Sequence, residues 1–326
     1  MGLQTKAVGL SESSHPRRFR ENRYVYPVLS RRSGGVSVGI NLNPDKVCDF
    51  GCIYCQVDRR KRSAGCSVDL KQVVRELRSV LWGLRPGGEL WTAPEFASLP
   101  ASRRHVADVA FSGDGEPTWF RNFAQAARAV VRTKDETGFT GAKVVLLTNG
   151  SGLRRPDVAA ALRFLDKHSG EVWAKLEAGS AEYFHQIHRN AYPFEELLAN
   201  ILACGRARPV VIQSCFVRVR GKSPPAKEIA AYLDRLRELR EGGAQIRFVQ
   251  VYTIARAPAY GIVSSLTRAE VDRIARQVRA KTGLEARAYY GSVGEGQGLL
   301  GEEPPEWTGR AGERLESSSA TRHALV

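Results

Sequence analysis

The chain has 326 residues, 43% of them hydrophobic, and a formal net charge of +15. That is enough apolar material for one large domain or two ordinary ones, while its apolar runs, such as VVLL (144–147) and PVVI (209–212), are far too short to cross a bilayer. The opening MGLQTKAVGLSESSHPRRFR has no signal-peptide core and lacks the Ser or Thr of a myristoylation signal, so a cytoplasmic setting without a membrane is expected, where thiols stay reduced.

Residues 1–34 read as an N-terminal extension. From there, short β-branched segments alternate with longer amphipathic ones, the pattern of βα units on a parallel sheet. Strands are expected at VSVGINL (36–42), DVAFSG (108–113), AKVVLLTNG (142–150), EVWAKLEA (171–178), PVVIQSCFVRV (209–219), QIRFVQVYTI (245–254) and, shorter, ARAYYG (286–291). The first helix pattern, at 67–84, puts Val73, Leu77, Val80 and Leu81 on one face. The next, at 118–136, gathers Phe120, Phe123, Ala127, Val130 and Val131. Residues 83–107 read as an inserted loop or short hairpin. Further helices are expected at 156–167, 193–206, 225–239 and 267–283. The last has Thr267 and Glu270 as a capping box and Gly283 as its stop. Repetition of βα units without sequence repeats implies an α/β fold: a partial (β/α)6 TIM-like barrel over 35–291, with N- and C-terminal extensions. The tail, 292–326, is poor in aliphatic residues from about 301 and is expected to be disordered.

Three of the six cysteines fall in one short stretch, CDFGCIYC, as Cys48, Cys52 and Cys55, just past the first expected strand. A disulfide here would close a short loop and leave an odd thiol. A structural zinc ion needs a fourth ligand, for which Cys66 is nearest and His105 an alternative. An iron–sulfur cluster takes thiolates, ordinarily one per iron, so three ligands on a four-iron cube leave one iron open. The second strand ends in SGDGEPTW (112–119), where glycines admit close backbone approach to a ligand or make a tight turn capping the next helix. Asn149, in TNG, is a candidate ligand contact or a turn residue. Lys175 and Glu177 alternate along the fourth strand, and charges facing a barrel interior are costly unless paired or used. Gln213 and Ser214, then Tyr252 and Thr253, are inward polar residues that line a pocket or satisfy buried backbone. His185 and His188 share a helix face and suit a core or surface role unless other ligands converge. Cys66, Cys204 and Cys215 read as structural thiols.

C-x3-C-x2-C with an aromatic residue, Tyr54, before its last cysteine resembles the radical S-adenosylmethionine (SAM) superfamily. The resemblance implies that Cys48, Cys52 and Cys55 hold a [4Fe–4S] cluster whose open iron binds SAM. Reductive cleavage then gives a 5′-deoxyadenosyl radical that abstracts hydrogen from substrate, with electrons from an external donor. It further implies that Tyr54 lies beside SAM and that Gly115 and Glu116, in an element similar to the family's GGEP, hold its amino group. Asn149 would meet the carboxylate or ribose, Lys175 would neutralise the carboxylate, and Gln213 would be a further contact. No residue is singled out as catalytic.

NLNPDKVCDFGCIYCQVD, SGDGEPT, KLEAG and VQVYTIARAPAYG together are similar to the group that includes the tRNA wyosine-synthesising enzymes. Those enzymes bind a second cluster through cysteines upstream of the motif, and residues 1–47 here contain none. The substrate therefore stays open. A modified RNA base agrees with the charge, which gathers at 17–23, 30–32 and 58–62, although most Arg residues lie on ordinary helix faces. A peptide or protein substrate is the alternative, and a non-catalytic, metal-stabilised nucleic-acid-binding protein is the alternative of another class.

Overall fold

The computed structural model describes residues 9–12, 19–60, 67–294 and 296–299. Cys66 and the tail expected to be disordered beyond residue 300 lie outside the described residues. The chain forms two compact units.

The first comprises residues 1–45, 63–147 and 155–171. It carries β1 (Val25–Leu29), β2 (Val36–Ile40), α1 (Leu70–Gly83), β3 (Val106–Phe111), α2 (Phe123–Glu136), β4 (Lys143–Thr148) and α3 (Pro156–Leu165). Its strands lie in the order β1-β2-β3-β4. β1 is antiparallel to β2, and the pairs that follow are parallel. β1 falls within the expected N-terminal extension. It contains Pro27, whose missing N–H is tolerated because β1 is an edge strand. The buried Glu76 on α1 fixes it by accepting the amides of Arg23, Tyr24 and Val25 at 3.0, 2.8 and 3.0 Å. The expected apolar faces are the observed ones except at Phe120, which lies in the turn before α2 and is only half-buried. Val73, Leu77, Val80 and Leu81 on α1, and Phe123, Ala127, Val130 and Val131 on α2, are all buried. Each large aliphatic side chain among them stabilises the unit by roughly 1.5–3 kcal/mol. Residues 83–107 form an irregular connection with short 3-10 turns at Glu89–Thr92 and Ala101–Arg103.

The second unit comprises residues 46–62, 148–154 and 172–326. Its elements are β5 (Gly170–Lys175), whose first residues close the first unit's chain, α4 (Ala181–His188), α5 (Phe194–Ala207), β6 (Val210–Cys215), β7 (Val217–Val219), α6 (Ala226–Glu241), β8 (Ile246–Tyr252), β9 (Val263–Ser265), α7 (Arg268–Thr282) and β10 (Ala286–Tyr289). β5, β6, β8 and β10 lie side by side, all parallel. The stretch expected as one strand over 209–219 is two. At the break, Phe216 donates its amide to the Tyr252 carbonyl at 2.8 Å and packs edge-on against Tyr232, after which β7 pairs with β9 instead. β6 is buried along its whole length, as a strand covered on both faces should be. The expected capping box of α7 is present, Thr267 and Glu270 each bonding the other's backbone, with Gly283 left-handed at the stop. Parallel strands alternate with helices and no closed barrel forms among the described residues, which is the α/β, partial-barrel class. None of the described helices is long and apolar enough to cross a membrane.

Candidate active site

The cysteine loop, 46–62, belongs to the second unit. Lys46 starts it in a left-handed conformation (φ 62°), held by its ammonium on the Asp58 carbonyl at 2.9 Å and by the Arg59 guanidinium on its own carbonyl. The next turns are stitched to the end of α4: Gly51 N–H donates to the His188 carbonyl at 2.8 Å and Ile53 N–H to that of Ile187 at 2.9 Å. A Cβ at position 51 would stand 3.2 Å from the Arg189 carbonyl oxygen, so a glycine permits this approach. Cys55 N–H then closes a turn onto the Cys52 carbonyl, and Ala259 N–H donates to the Cys55 carbonyl at 2.7 Å. These bonds present Cys48, Cys52 and Cys55 as half-buried free thiols from one short loop.

Burial pushes the Cys48 thiol well up, with the Asp49 carboxylate adding to it. Burial pushes the Cys52 thiol up to about 12, against the pull of the Lys175 ammonium. Both are therefore protonated near neutrality unless a metal displaces the proton. The Arg59 guanidinium lies 3.6 Å from Cys55 Sγ. Burial works against the Lys175 ammonium, but Glu177, Tyr252, Cys52 and Cys55 together outweigh it and raise the amine. Lys175 Nζ stands 5.3 Å from the Tyr54 ring centre and has no hydrogen bond or ion pair among the described residues.

Glu177 is fully buried at the centre of the remaining contacts, and burial raises its carboxyl. Tyr54 Oη donates to Oε2, Tyr252 Oη lies 3.4 Å from Oε1, and His188 Nε2 lies 3.4 Å from Oε2. The other nitrogen of the same imidazole, Nδ1, is 3.2 Å from Cys52 Sγ. Burial, then Lys175, lowers His188 to about 3. Its ring is enclosed by Phe50, Phe184 and Tyr54, with centroids at 5.3, 4.8 and 6.1 Å.

Asn149, just past β4, has both ends of its amide engaged. Nδ2 donates to Asp49 Oδ1 at 2.7 Å, and Oδ1 accepts the Ser151 amide and hydroxyl at 3.0 and 2.8 Å. It thus ties its turn to the cysteine loop. Gln213 is completely buried and donates to Gln250 Oε1 at 2.7 Å. Gln213 Oε1 and Gln250 Nε2 have no hydrogen-bonding partner among the described residues.

Gly115 and Glu116 lie in the first unit, in the turn after β3. Gly113 there has φ +146°, and a Cβ would meet Asn41 Oδ1 at 2.5 Å, so no other residue fits. Asn41 pins Asp114 from both sides, Nδ2 to Oδ2 at 2.7 Å and Oδ1 to the amide at 3.2 Å. Glu116 is buried and caps the Pro117–Trp119 turn by accepting the Thr118 amide and hydroxyl at 3.2 and 2.7 Å.

Five of the expected residues thus meet in the second unit: Cys48, Cys52, Cys55, Tyr54 and Lys175. Sequence reading left His188 in a core or surface role and passed over Asp49 and Arg59. The signal for the last two was present, an acid directly after the first cysteine and an Arg four residues after the third. His188 carried only a helical His doublet, and nothing local says which of the two turns inward.

No protein-family model matches the chain. It is 24% identical over 181 residues to the GTPase Obg of Brachyspira hyodysenteriae, a match that covers 55% of this chain and 22% of that protein. It is 21% identical over 234 residues to a UPF0026 protein of Helicobacter pylori, covering 71% of this chain and 68% of the relative. A second Helicobacter pylori UPF0026 protein is 26% identical over 215 residues and is covered to 61%. The chain therefore spans about a fifth of the first relative's length and about two thirds of the other two. Among solved structures, TYW1 with a lysine-pyruvate adduct bound matches with a TM-score of 0.50 at 13% identity, covering 82% of this chain and 88% of that one. The chain shares that fold, the TIM-like partial barrel that the motif resemblance implies.

Proposed function

We propose that the protein is a radical SAM enzyme. The observation that carries this reading is the cysteine loop itself: three free thiols on one stretch, shaped by backbone hydrogen bonds and faced by two cations. Three thiols are the donor set that a cubane takes, each thiolate on a separate iron. Cys48, Cys52 and Cys55 would hold a [4Fe–4S] cluster with SAM at its open iron. Together they would supply a 5′-deoxyadenosyl radical for hydrogen abstraction.

The chain's own residues do the rest. Arg59 and Lys175 offset the negative charge of three thiolates. Lys175, charged and without a protein acceptor among the described residues, is suited to the carboxylate of SAM. Tyr54, a residue of the cysteine loop clamped to Glu177, presents its ring to the same ammonium. Gly115 and Glu116 are proposed to receive the amino group, and Asn149 to act through Asp49 and the loop. An RNA base is the proposed substrate class, supported by the net charge of +15.

Anaerobic reconstitution with iron and sulfide tests this. The loaded protein should contain about four irons per chain, if one cubane is bound, and should release 5′-deoxyadenosine when reduced with SAM. Cys48→Ala should abolish both. A colourless protein that takes up stoichiometric zinc and no iron would overturn the reading.

A further inference from the structure

His188 lies 136 residues from Cys52 in sequence, yet its Nδ1 is 3.2 Å from the Cys52 sulfur. Three features make this more than a packing contact. The ring is 3% exposed and enclosed by Phe50, Phe184 and Tyr54, so it has no freedom to turn. Its other nitrogen faces Glu177 Oε2 at 3.4 Å, and Glu177 is itself fixed by the hydroxyls of Tyr54 and Tyr252. Finally, the α4 terminus that carries His188 is the segment to which Gly51 and Ile53 are hydrogen-bonded, so ring and sulfur are held in register by the backbone.

Resting on the reading of Cys52 as a cluster ligand, we propose that His188 is a positioning residue that donates Nδ1–H to the Cys52 sulfur and thereby sets the reduction potential of the cluster. A metal-bound cysteine is a thiolate and offers only lone pairs, so the imidazole must be the donor. Hydrogen bonds to ligand sulfurs are among the features that set such potentials, because they stabilise the added electron. The proton on Nδ1 leaves Nε2 without one, so the ring is held by the three aromatic side chains around it and by the α4 backbone rather than by a bond to Glu177. Of the three cysteines only Cys52 meets this ring among the described contacts.

Two variants test this without SAM or substrate. His188→Phe removes the donor but keeps an aromatic ring among the three that surround it. His188→Asn keeps an N–H near the position of Nδ1. Both are loaded anaerobically and titrated for cluster reduction by electron paramagnetic resonance. In His188→Phe the ratio of reduced to oxidised cluster at a fixed applied potential should fall about 10-fold, equal to 59 mV for a one-electron couple. His188→Asn should stay near the wild-type value. A fully loaded His188→Phe protein with the wild-type midpoint would overturn the proposal. If His188→Phe loads poorly, a loaded His188→Asn with the wild-type midpoint supports the donor role, and one with a shifted midpoint overturns it. A wild-type chain that binds no cluster would instead overturn the enzyme reading on which the proposal rests.

Discussion

A buried or half-buried ammonium usually finds an oxygen. Lys175 has the Tyr54 ring and the more distant field of Glu177, but no hydrogen-bond acceptor among the described residues. Charge-assisted hydrogen bonds are worth roughly 1.5–3 kcal/mol. If Lys175 meets the carboxylate of SAM, Lys175→Met should therefore weaken SAM binding to the loaded protein by about 10- to 150-fold, measured calorimetrically. An unchanged Kd would remove Lys175 from the cofactor site. Lys175 stood out in the sequence because a charge among the apolar residues of an expected strand is conspicuous. The cysteines stood out by their spacing. The contacts of His188 and Glu177 were not legible, because Cys52 and Tyr54 lie 136 and 123 residues from them in sequence. Asn149 shows the opposite limit: its sequence allowed a ligand contact or a turn, and its amide is spent on Asp49 and Ser151.

Among the elements, α7 shows how far local rules reach. Its capping box, apolar face and glycine stop were readable because all three act within one or two turns. The Glu270 carboxylate also takes Arg218 at 2.6 Å and the Ser223 hydroxyl at 2.6 Å. Slight burial works against its charge, but the hydroxyls of Ser223 and Thr267 hold it down at about 2. A folded pKa below the unfolded value of about 4.3 stabilises the fold above that pH, and the contribution is lost as pH falls toward 2. Glu270→Gln keeps the capping geometry but removes the charge, so it should lower the melting temperature at pH 6 and converge on wild type below pH 2. A constant difference across that range would show that the charge is not what matters. β1 was missed for the converse reason. VYPVL contains a proline and reads as a break, and its anchor, Glu76, lies about fifty residues away on α1. Glu76→Ala strands the buried amides of Tyr24 and Val25 and should destabilise the protein by about 2 kcal/mol or more in urea unfolding.

For the molecule as a whole, the charge of +15 bears on the choice of substrate. If single-stranded RNA binds through as few as three phosphates, affinity should fall about 20-fold between 50 and 200 mM salt. Fluorescence anisotropy with a labelled oligonucleotide measures that slope. A salt-independent affinity, or none, would turn attention to a peptide substrate. The alternation of strand and helix was open to sequence reading because hydrophobic period is a local property. The division into two compact units was not, since their segments interleave along the chain.

The cysteine loop has one more consequence. The hydrogen bonds that shape it, from the amides of Gly51, Ile53, Cys55 and Ala259, run from backbone to backbone and use none of the three sulfurs. On the proposed reading, folding and metallation would be separate events: the backbone would make the socket, and iron and sulfide could be loaded into it or lost from it without unmaking the loop.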